Sequence, residues 1–418
     1  MTRVGLLFGS RSVEHEISVT TASKAYEALR SLTAEYETVL LYLSRSGAWL
    51  GGPAVTRLLD VEAEGRASTD PAARHRLQQE YKQQLNLLER GAGQAGVESL
   101  FVSPDPTVHG LAGNPELASW FRKSLRPALD VAFPTVHGTH GEDGTLQGLF
   151  ELADLPYVGP GLAASAAGMD KILSKQLFRG AGLPVLGATW FTRRRFLEDE
   201  AAVIAEVEGR LPYPVVVKPA VAGSSVGIGR AVDAASLRRA ASAAVQFSTR
   251  VLVEQAVEER LEIQCSVLGN HALTVSECEE LTAGAGIVSF EDKYLKRPEA
   301  AAADLAPSII PARIPEALAT QVKALALETF RALDARGIAR VDFLVARSTL
   351  TPYVNEVNTL PGSLCLRLWE ASGVPPTELV RRLIALALEA HAEKRATRFE
   401  SQEGRGLVDK KHLMAPGK

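Results

Sequence analysis

Two short segments in the last fifth of the chain carry polar groups at the spacing that a strand turns to one side. Arg340 and Asp342 lie two apart in IARVDFLV, and Glu356 and Asn358 lie two apart in YVNEVN. Alternate residues of a strand share a face. If the two strands are antiparallel neighbours, Asp342, Glu356 and Asn358 converge, and three hard oxygen ligands beside a phosphate make a Mg²⁺ site. The same residues could form a structural Arg–Asp and Glu–Asn network, but burying them on apolar strands is costly without a purpose, which favours the metal. A second constellation supplies positive charge. The run VVVKPAVAGSSVGIG, residues 215–229, reads as a buried strand that delivers Lys218 and ends at Pro219. A loop of small residues with Gly223, Ser224 and Ser225 follows, and a strand resumes at 226–228. A lysine facing backbone N–H groups suits a phosphate; an ordinary hairpin with an exposed lysine is the plain alternative. Lys171, opening a helix over 171–179, is either a second phosphate-directed lysine or a solvated helix residue.

Further candidates sit where strands give way to turns. His137 ends an apolar strand over 130–136 and begins HGTHGEDG. That position, before a Gly-rich turn and a helix, is where α/β folds bind ligands, although a lone histidine is often structural. Glu14 lies at the lip of the first strand–helix turn; it either holds a substrate ammonium or complements the helix dipole. Residues 251–254, VLVE, form an apolar strand ending on an acid, common in any fold and also the shape of an interdomain hinge beside an adenine edge. The charged stretch SFEDKYLKRP, residues 289–298, is a surface loop or a lid.

These groups need an α/β frame, and the periodicity supplies one. Strands are expected at 4–8, 37–42, 156–159, 185–191, 215–217, 251–254, 260–268, 272–278, 338–345 and 353–358, and helices at 15–32, 201–208 and 314–335, with a last one starting near Pro375. Residues 44–126 say least; 74–90 reads as a solvated helix face and 91–96 as a loop. The chain has 418 residues, 46% hydrophobic and 23% charged, with a net charge of −3, so no global pull toward nucleic acid or an anionic membrane exists. Cys265, Cys278 and Cys365 have no metal spacing and suit a reducing compartment. With no apolar run of signal or spanning length at the start, a cytoplasmic protein is expected.

Taken together, GSRSVEHEIS, HGTHGEDGTLQG, PYVGPG, MDK, VVVKPAVAGSSVGIG, DKY, RVDF and NEVNTLPG, in this order, resemble the D-alanine–D-alanine ligase family of ATP-grasp enzymes. The resemblance runs from residue 4 to about 388, except for 44–126. It implies a three-domain ATP-grasp fold: an N-terminal parallel α/β domain over 1–160, a central domain over 161–253, a C-terminal domain over 254–398 with a lid at about 284–300, and a tail over 399–418. It implies ATP, two Mg²⁺ ions for which Mn²⁺ can substitute, D-alanine as substrate, an acyl-phosphate intermediate, peptidoglycan precursor synthesis and a homodimer. By position, Lys171, Lys218 and the loop of Gly223, Ser224, Ser225 and Val226 contact the phosphates. Glu254, Ala256, Val257 and Glu262 hold adenine and ribose, and Asp342, Glu356 and Asn358 bind metal. Glu14 and His137 orient the first substrate, Arg340 and the Gly362 N–H stabilise an oxyanion, Lys293 and Tyr294 ride on the lid, and Tyr294, Ser224 and Glu14 link lid to domains.

One departure concerns the second substrate. After NTLPG the family runs Phe or Met, Thr, and a few residues to a Ser-Leu or Ser-Met pair whose serine helps hold the acceptor carboxylate. Here the run is SLCLRLW, and Arg367 falls about where that serine is expected. Either Arg367 binds a carboxylate directly, or it faces solvent in a shifted register. The competing readings are a ligase with another acceptor (D-serine, D-lactate or a specialised amino acid) and a non-catalytic ATP sensor. A nucleotide-dependent oxidoreductase fails for want of G-x-G-x-x-G after the first strand.

Overall fold

The structure is a computed structural model that describes residues 1–108, 110–113, 128–221, 223, 226–282 and 308–398. The expected lid at 284–300, with Lys293 and Tyr294, lies outside the described residues, as do Ser224, Ser225 and the expected tail at 399–418. Among the described residues the strands form three sheets.

The first sheet is built on β1 (Thr2–Gly9), whose apolar run is buried on both faces. It pairs in parallel with β2 (Tyr36–Leu43) and, through the crossover helix α1 (His15–Arg30), is covered on one side. The segment between β2 and the last strand is structured: β3 (Trp49–Gly51), α2 (Pro53–Ala67), α3 (Pro71–Glu89), β4 (Glu98–Val102) and β5 (Leu111–Gly113) extend the sheet antiparallel. β6 (Val131–Pro134) pairs with β1 in parallel, and α4 (Thr145–Leu152) follows. Residues 156–159 make only a bridge, Ala132 with Tyr157, not the expected strand.

Two helices, α5 (Leu162–Met169) and α6 (Lys171–Gly180), lead to the second sheet. Asp170 caps α6 by accepting from the Ile172 and Leu173 N–H groups. Next come β7 (Ala188–Thr192), α7 (Arg193–Glu198), α8 (Glu200–Arg210), β8 (Val215–Pro219), β9 (Gly229–Ala231), α9 (Ala234–Ala244) and β10 (Arg250–Gln255), in the antiparallel order β7-β10-β8-β9. Pro219 does not end β8; it still pairs with Val251. β9 stops pairing β8 at Val217, so the missing proline N–H faces a side with no ladder to break. For the same reason residues 226–228 are a turn, not the resumed strand. Gly209 lies inside α8 rather than stopping it.

The third sheet, antiparallel, contains β11 (Arg260–Gly269), β12 (Thr274–Val275), β13 (Glu279–Leu281), β14 (Ser308–Ile309), β15 (Gly337–Ala346) and β16 (Thr351–Asn358), backed by α10 (Glu316–Ala332). Of the expected strand at 272–278 only β12 forms. In β15, Val341, Phe343 and Val345 enter the core while Arg340 and Asp342 face the other way. After the turn Gly362–Cys365 come α11 (Leu366–Ala371) and α12 (Pro376–Arg395). Trp369, Leu379, Leu383 and Ile384 from these helices share one core with Val4, Leu6 and Phe8 of β1 and Leu29 of α1.

Candidate active site

The β15–β16 pair sets the centre. Asp342 lies opposite Glu356 and Arg340 opposite Asn358 across an antiparallel ladder, so all four share one face, as the spacing predicts. The register shifts between Asp342 and Phe343, which leaves Asn355 as the extra residue of a bulge. Asn355 and Glu356 therefore both turn away from the core. Arg340 grips Asp342 with two parallel hydrogen bonds, Nε to Oδ1 at 2.7 Å and Nη2 to Oδ2 at 2.8 Å. Asn358 Nδ2 donates to Asp342 Oδ2 at 3.0 Å. Burial and the facing Glu356 push the Asp342 carboxyl up, against the pull of Arg340.

Lysines approach this face from the second sheet and α6. Lys171 Nζ lies 3.4 Å from Glu356 Oε2. Lys218 Nζ donates to Asn355 Oδ1 at 3.0 Å and lies 2.5 Å from Glu254 Oε2. The other Glu254 oxygen lies 2.6 Å from Lys175 Nζ, which also donates to the Asn355 carbonyl at 3.1 Å. Burial would raise the Glu254 carboxyl, but Lys175 and then Lys218 outweigh it and hold it below the ordinary glutamate range. The Glu254 side chain, on a residue expected beside adenine or ribose, is turned inside to clamp two lysines. Ala256 spends its N–H on the Pro214 carbonyl, and Val257 follows it in the connection between the sheets. Glu262 is held by Arg260 Nε at 2.9 Å, on β11.

The first sheet closes the third side. Glu14 lies against the backbone of the central loop: a Cβ on Gly223 would come within 2.4 Å of Glu14 Oε2, and one on Gly138 within 2.3 Å. Val226 N–H donates to the Gly223 carbonyl at 3.2 Å. Glu14 before α1, Lys171 at the start of α6, Gly223 between β8 and β9, and Glu356, Asn358 and Thr359 at the end of β16 line one cavity.

His137, expected to orient the first substrate, is buried. Its Nδ1 donates to the Leu360 carbonyl at 2.8 Å, which leaves Nε2 to accept from Thr21 Oγ1 at 2.8 Å. Thr21 Oγ1 in turn accepts from the Ser363 N–H. The buried ring therefore ties α1 to the 360–363 turn. Glu142 does the same work beside it, accepting from Gly138 N at 3.1 Å and Leu360 N at 3.2 Å. Gly362 packs toward Ile17 of α1.

The residues that sequence reasoning missed are Lys175, Asn355, Glu142 and Thr21. Lys175 carried a signal: it stands four residues after Lys171, on the face of α6 that buries Ile172 and Phe178. Asn355 carried none, because a bulge is invisible in VNEVN.

Family models for the N- and C-terminal parts of D-Ala D-Ala ligase match residues 3–160 and 177–385. The chain belongs to the D-alanine–D-alanine ligase family. A D-alanine–D-alanine ligase of Chloroherpeton thalassium is 38% identical over 398 residues, 94% of this chain and 98% of that protein. D-alanine–D-alanine ligase A of Salmonella typhimurium is 36% identical over 399 residues, 94% of this chain and 98% of that protein. Among solved structures, the D-alanine–D-alanine ligase of Coxiella burnetii aligns with a TM-score of 0.72 at 26% identity, covering 94% of this chain and 96% of that one. A D-Ala:D-Ser ligase from Enterococcus faecalis aligns with a TM-score of 0.72 at 28% identity, covering 92% and 99%. The architecture is the ATP-grasp fold of this family.

Two consequences follow for a chain of the D-alanine–D-alanine ligase family. The donor set fits a divalent cation: the Asp342 and Glu356 carboxylates and the Asn358 amide share one strand face, three hard oxygen groups. Among the described residues no group of three His, Cys, Asp or Glu stands together, so the set here is two carboxylates and the Asn358 amide. For Arg367 the sequence leaves two readings, a carboxylate contact or a solvent-facing residue. It lies exposed on α11, with Nη1 donating to Ser308 Oγ at 3.1 Å and 3.9 Å from Glu279 Oε1. The residue that follows Gly362 into the turn is Ser363, itself the first of a Ser-Leu pair.

Proposed function

We propose that the protein is an ATP-dependent ligase that joins two D-alanine molecules for peptidoglycan precursor synthesis. The observation that carries this reading is one cavity lined by Glu14 from the β1–α1 connection, Lys171 from α6, Gly223 from the β8–β9 connection and Glu356 and Asn358 from β16. One oxygen of the first D-alanine carboxylate attacks the ATP γ-phosphorus and ADP leaves, giving an acyl phosphate. The amine of the second D-alanine attacks the acyl carbon and loses a proton, and phosphate leaves with the C–O bond pair. A carboxylate is already ionised near neutral pH, so the first step needs charge neutralisation rather than a strong base.

Lys218 and Lys171 meet the phosphates, and Glu14 orients the first ammonium. Arg340 and the Gly362 N–H face the oxyanion of the second step. Val257 and Glu262 remain the adenine and ribose contacts. Lys293, Tyr294, Ser224 and Ser225 act from the lid and loop. Asp342, Glu356 and Asn358 would hold two Mg²⁺ ions, or Mn²⁺, which supply charge neutralisation for phosphoryl transfer. The working units are 1–160, 161–253 and 254–398, in a cytoplasmic homodimer; among the described residues no helix is long and apolar enough to cross a membrane. The test is trapping of the acyl phosphate. With ATP, a divalent cation, hydroxylamine and D-alanine as the only amino acid, D-alanine hydroxamate should form; its absence while ATP is bound would leave a nucleotide-binding protein without turnover.

A further inference from the structure

Helix α3 reaches the first strand–helix turn at two points. At its end, Glu89 Oε1 accepts from the Tyr42 hydroxyl at 2.5 Å, and that hydroxyl lies 2.9 Å from His15 Nε2. The other ring nitrogen, Nδ1, donates to the Ser10 carbonyl at 2.8 Å. About two helical turns before Glu89, the Tyr81 hydroxyl donates to Glu16 Oε2. Arg45 joins the two contacts. Its N–H donates to both Glu89 oxygens at 3.1 Å, and its Nη2 donates to Glu16 Oε1 at 2.7 Å. Ser10 on one side and His15 and Glu16 on the other bracket Glu14 in the chain.

We propose that α3 positions Glu14 on the ammonium of the first amino acid through two struts, Glu89–Tyr42–His15 and Tyr81–Glu16. This rests on the role given to Glu14 above and deepens it: Tyr42 and Tyr81 are positioning residues, and the segment that carries α3 belongs to the first-substrate site. Glu14 stands at the N-cap of α1, yet its side chain does not cap the helix. The backbone that carries Glu14 therefore decides where its carboxylate meets the cavity it lines. That backbone starts from Ser10, held in left-handed conformation at a φ of 98°. Such a residue persists only where its surroundings hold it, and the His15 ring does so from within the core.

An apolar core has no need of these groups. His15 and Tyr42 are fully buried, and Tyr42 packs edge-on to Phe8 with ring centres 5.6 Å apart. A phenylalanine would fill the same place, since replacing both partners of a buried hydrogen bond by apolar groups of the same shape is nearly neutral. A satisfied buried network instead fixes one geometry. Leu88 is the only buried residue of α3, so the helix meets the turn chiefly through polar side chains. A small misplacement of a substrate-orienting group is enough to weaken its contact, which gives these struts a functional consequence.

The experiment follows hydroxamate formation from D-alanine, ATP and a divalent cation with hydroxylamine in excess, where D-alanine acts as first substrate. Tyr42→Phe and Tyr81→Phe should each raise the KM for D-alanine about three- to tenfold, the scale of one hydrogen bond, with kcat and the KM for ATP unchanged. Glu89→Gln keeps an oxygen for Tyr42 and Arg45 and should hold most of the wild-type KM, whereas Glu89→Ala should not. In a Glu14→Gln background both tyrosine substitutions should lose their effect, because they act through the group already removed; a purely structural role would persist there. An unchanged KM in both tyrosine variants, or an effect that survives in Glu14→Gln, overturns the proposal. Should Tyr42→Phe not fold, Tyr81→Phe decides alone. An unchanged KM in Glu14→Gln itself refutes the role of Glu14, and wild type that forms no hydroxamate refutes the ligase reading, two separate outcomes.

Discussion

At the scale of single residues, the decisive group is Glu254, 1% exposed and touched on its two oxygens by Lys175 and Lys218. Removing its charge leaves two buried ammonium groups facing an amide. Glu254→Gln should therefore cost roughly 3–5 kcal/mol in urea denaturation, the range for breaking a buried ion pair. The pH dependence has a definite sign. The folded-state carboxyl is lowered, so its contribution is present above the unfolded value of about 4.3 and is lost as pH falls through the folded one. Wild type should lose stability more steeply than Glu254→Gln below that point. Lys24 runs the other way: its lowered value makes the charged form unfavourable below about 8, so Lys24→Met should not be less stable than wild type at neutral pH. Residue type and spacing made the metal-facing set legible, because two-residue alternation on a strand is rigid. They could not show that Glu254 points inward, since one acid at a strand end reads alike in either direction.

Elements decide which of these groups meet. The Gly223 turn reaches Glu14 only because it has no side chain there. Gly223→Ala should raise the KM for D-alanine about tenfold, because the added methyl meets Glu14 Oε2; an unchanged KM would mean that loop and Glu14 do not cooperate. The expected helices largely formed because apolar periodicity is long-range information, as in α1 and α10. β16 was legible as a strand but not as a bulged one, and the bulge is what aims Asn355 at Lys218. The segment 44–126 read as mute for a physical reason: its contacts are tertiary, with Val55, Leu58, Leu59 and Leu88 entering the core of β1 and α1 and polar bonds beside them. Tyr42 donates to Glu89 of α3 at 2.5 Å, and Tyr81 donates to Glu16 beside Glu14. Helix α3 is thus a solvated face, as its composition predicts, that also braces the first turn of α1.

The whole molecule is held by a core that ignores chain order. Leu383 and Ile384 of α12 pack with β1 and α1, so the end of the described chain stabilises its beginning. Leu383→Ala should cost about 2–5 kcal/mol, and it should lower the unfolding midpoint of the first and third sheets together if they share that core. No local pattern announces this, because the apolar stripe of α12 says what is buried and not against what. The convergence of distant segments on one cavity makes the central claim a claim about chemistry. Its most direct test is the reaction of purified protein with ATP, Mg²⁺ and D-alanine alone, with phosphate counted and product identified by mass. The account predicts D-alanyl-D-alanine, with ADP and phosphate released in equal amounts to it. Phosphate release only when another acceptor is added, or no dipeptide at all, would contradict it.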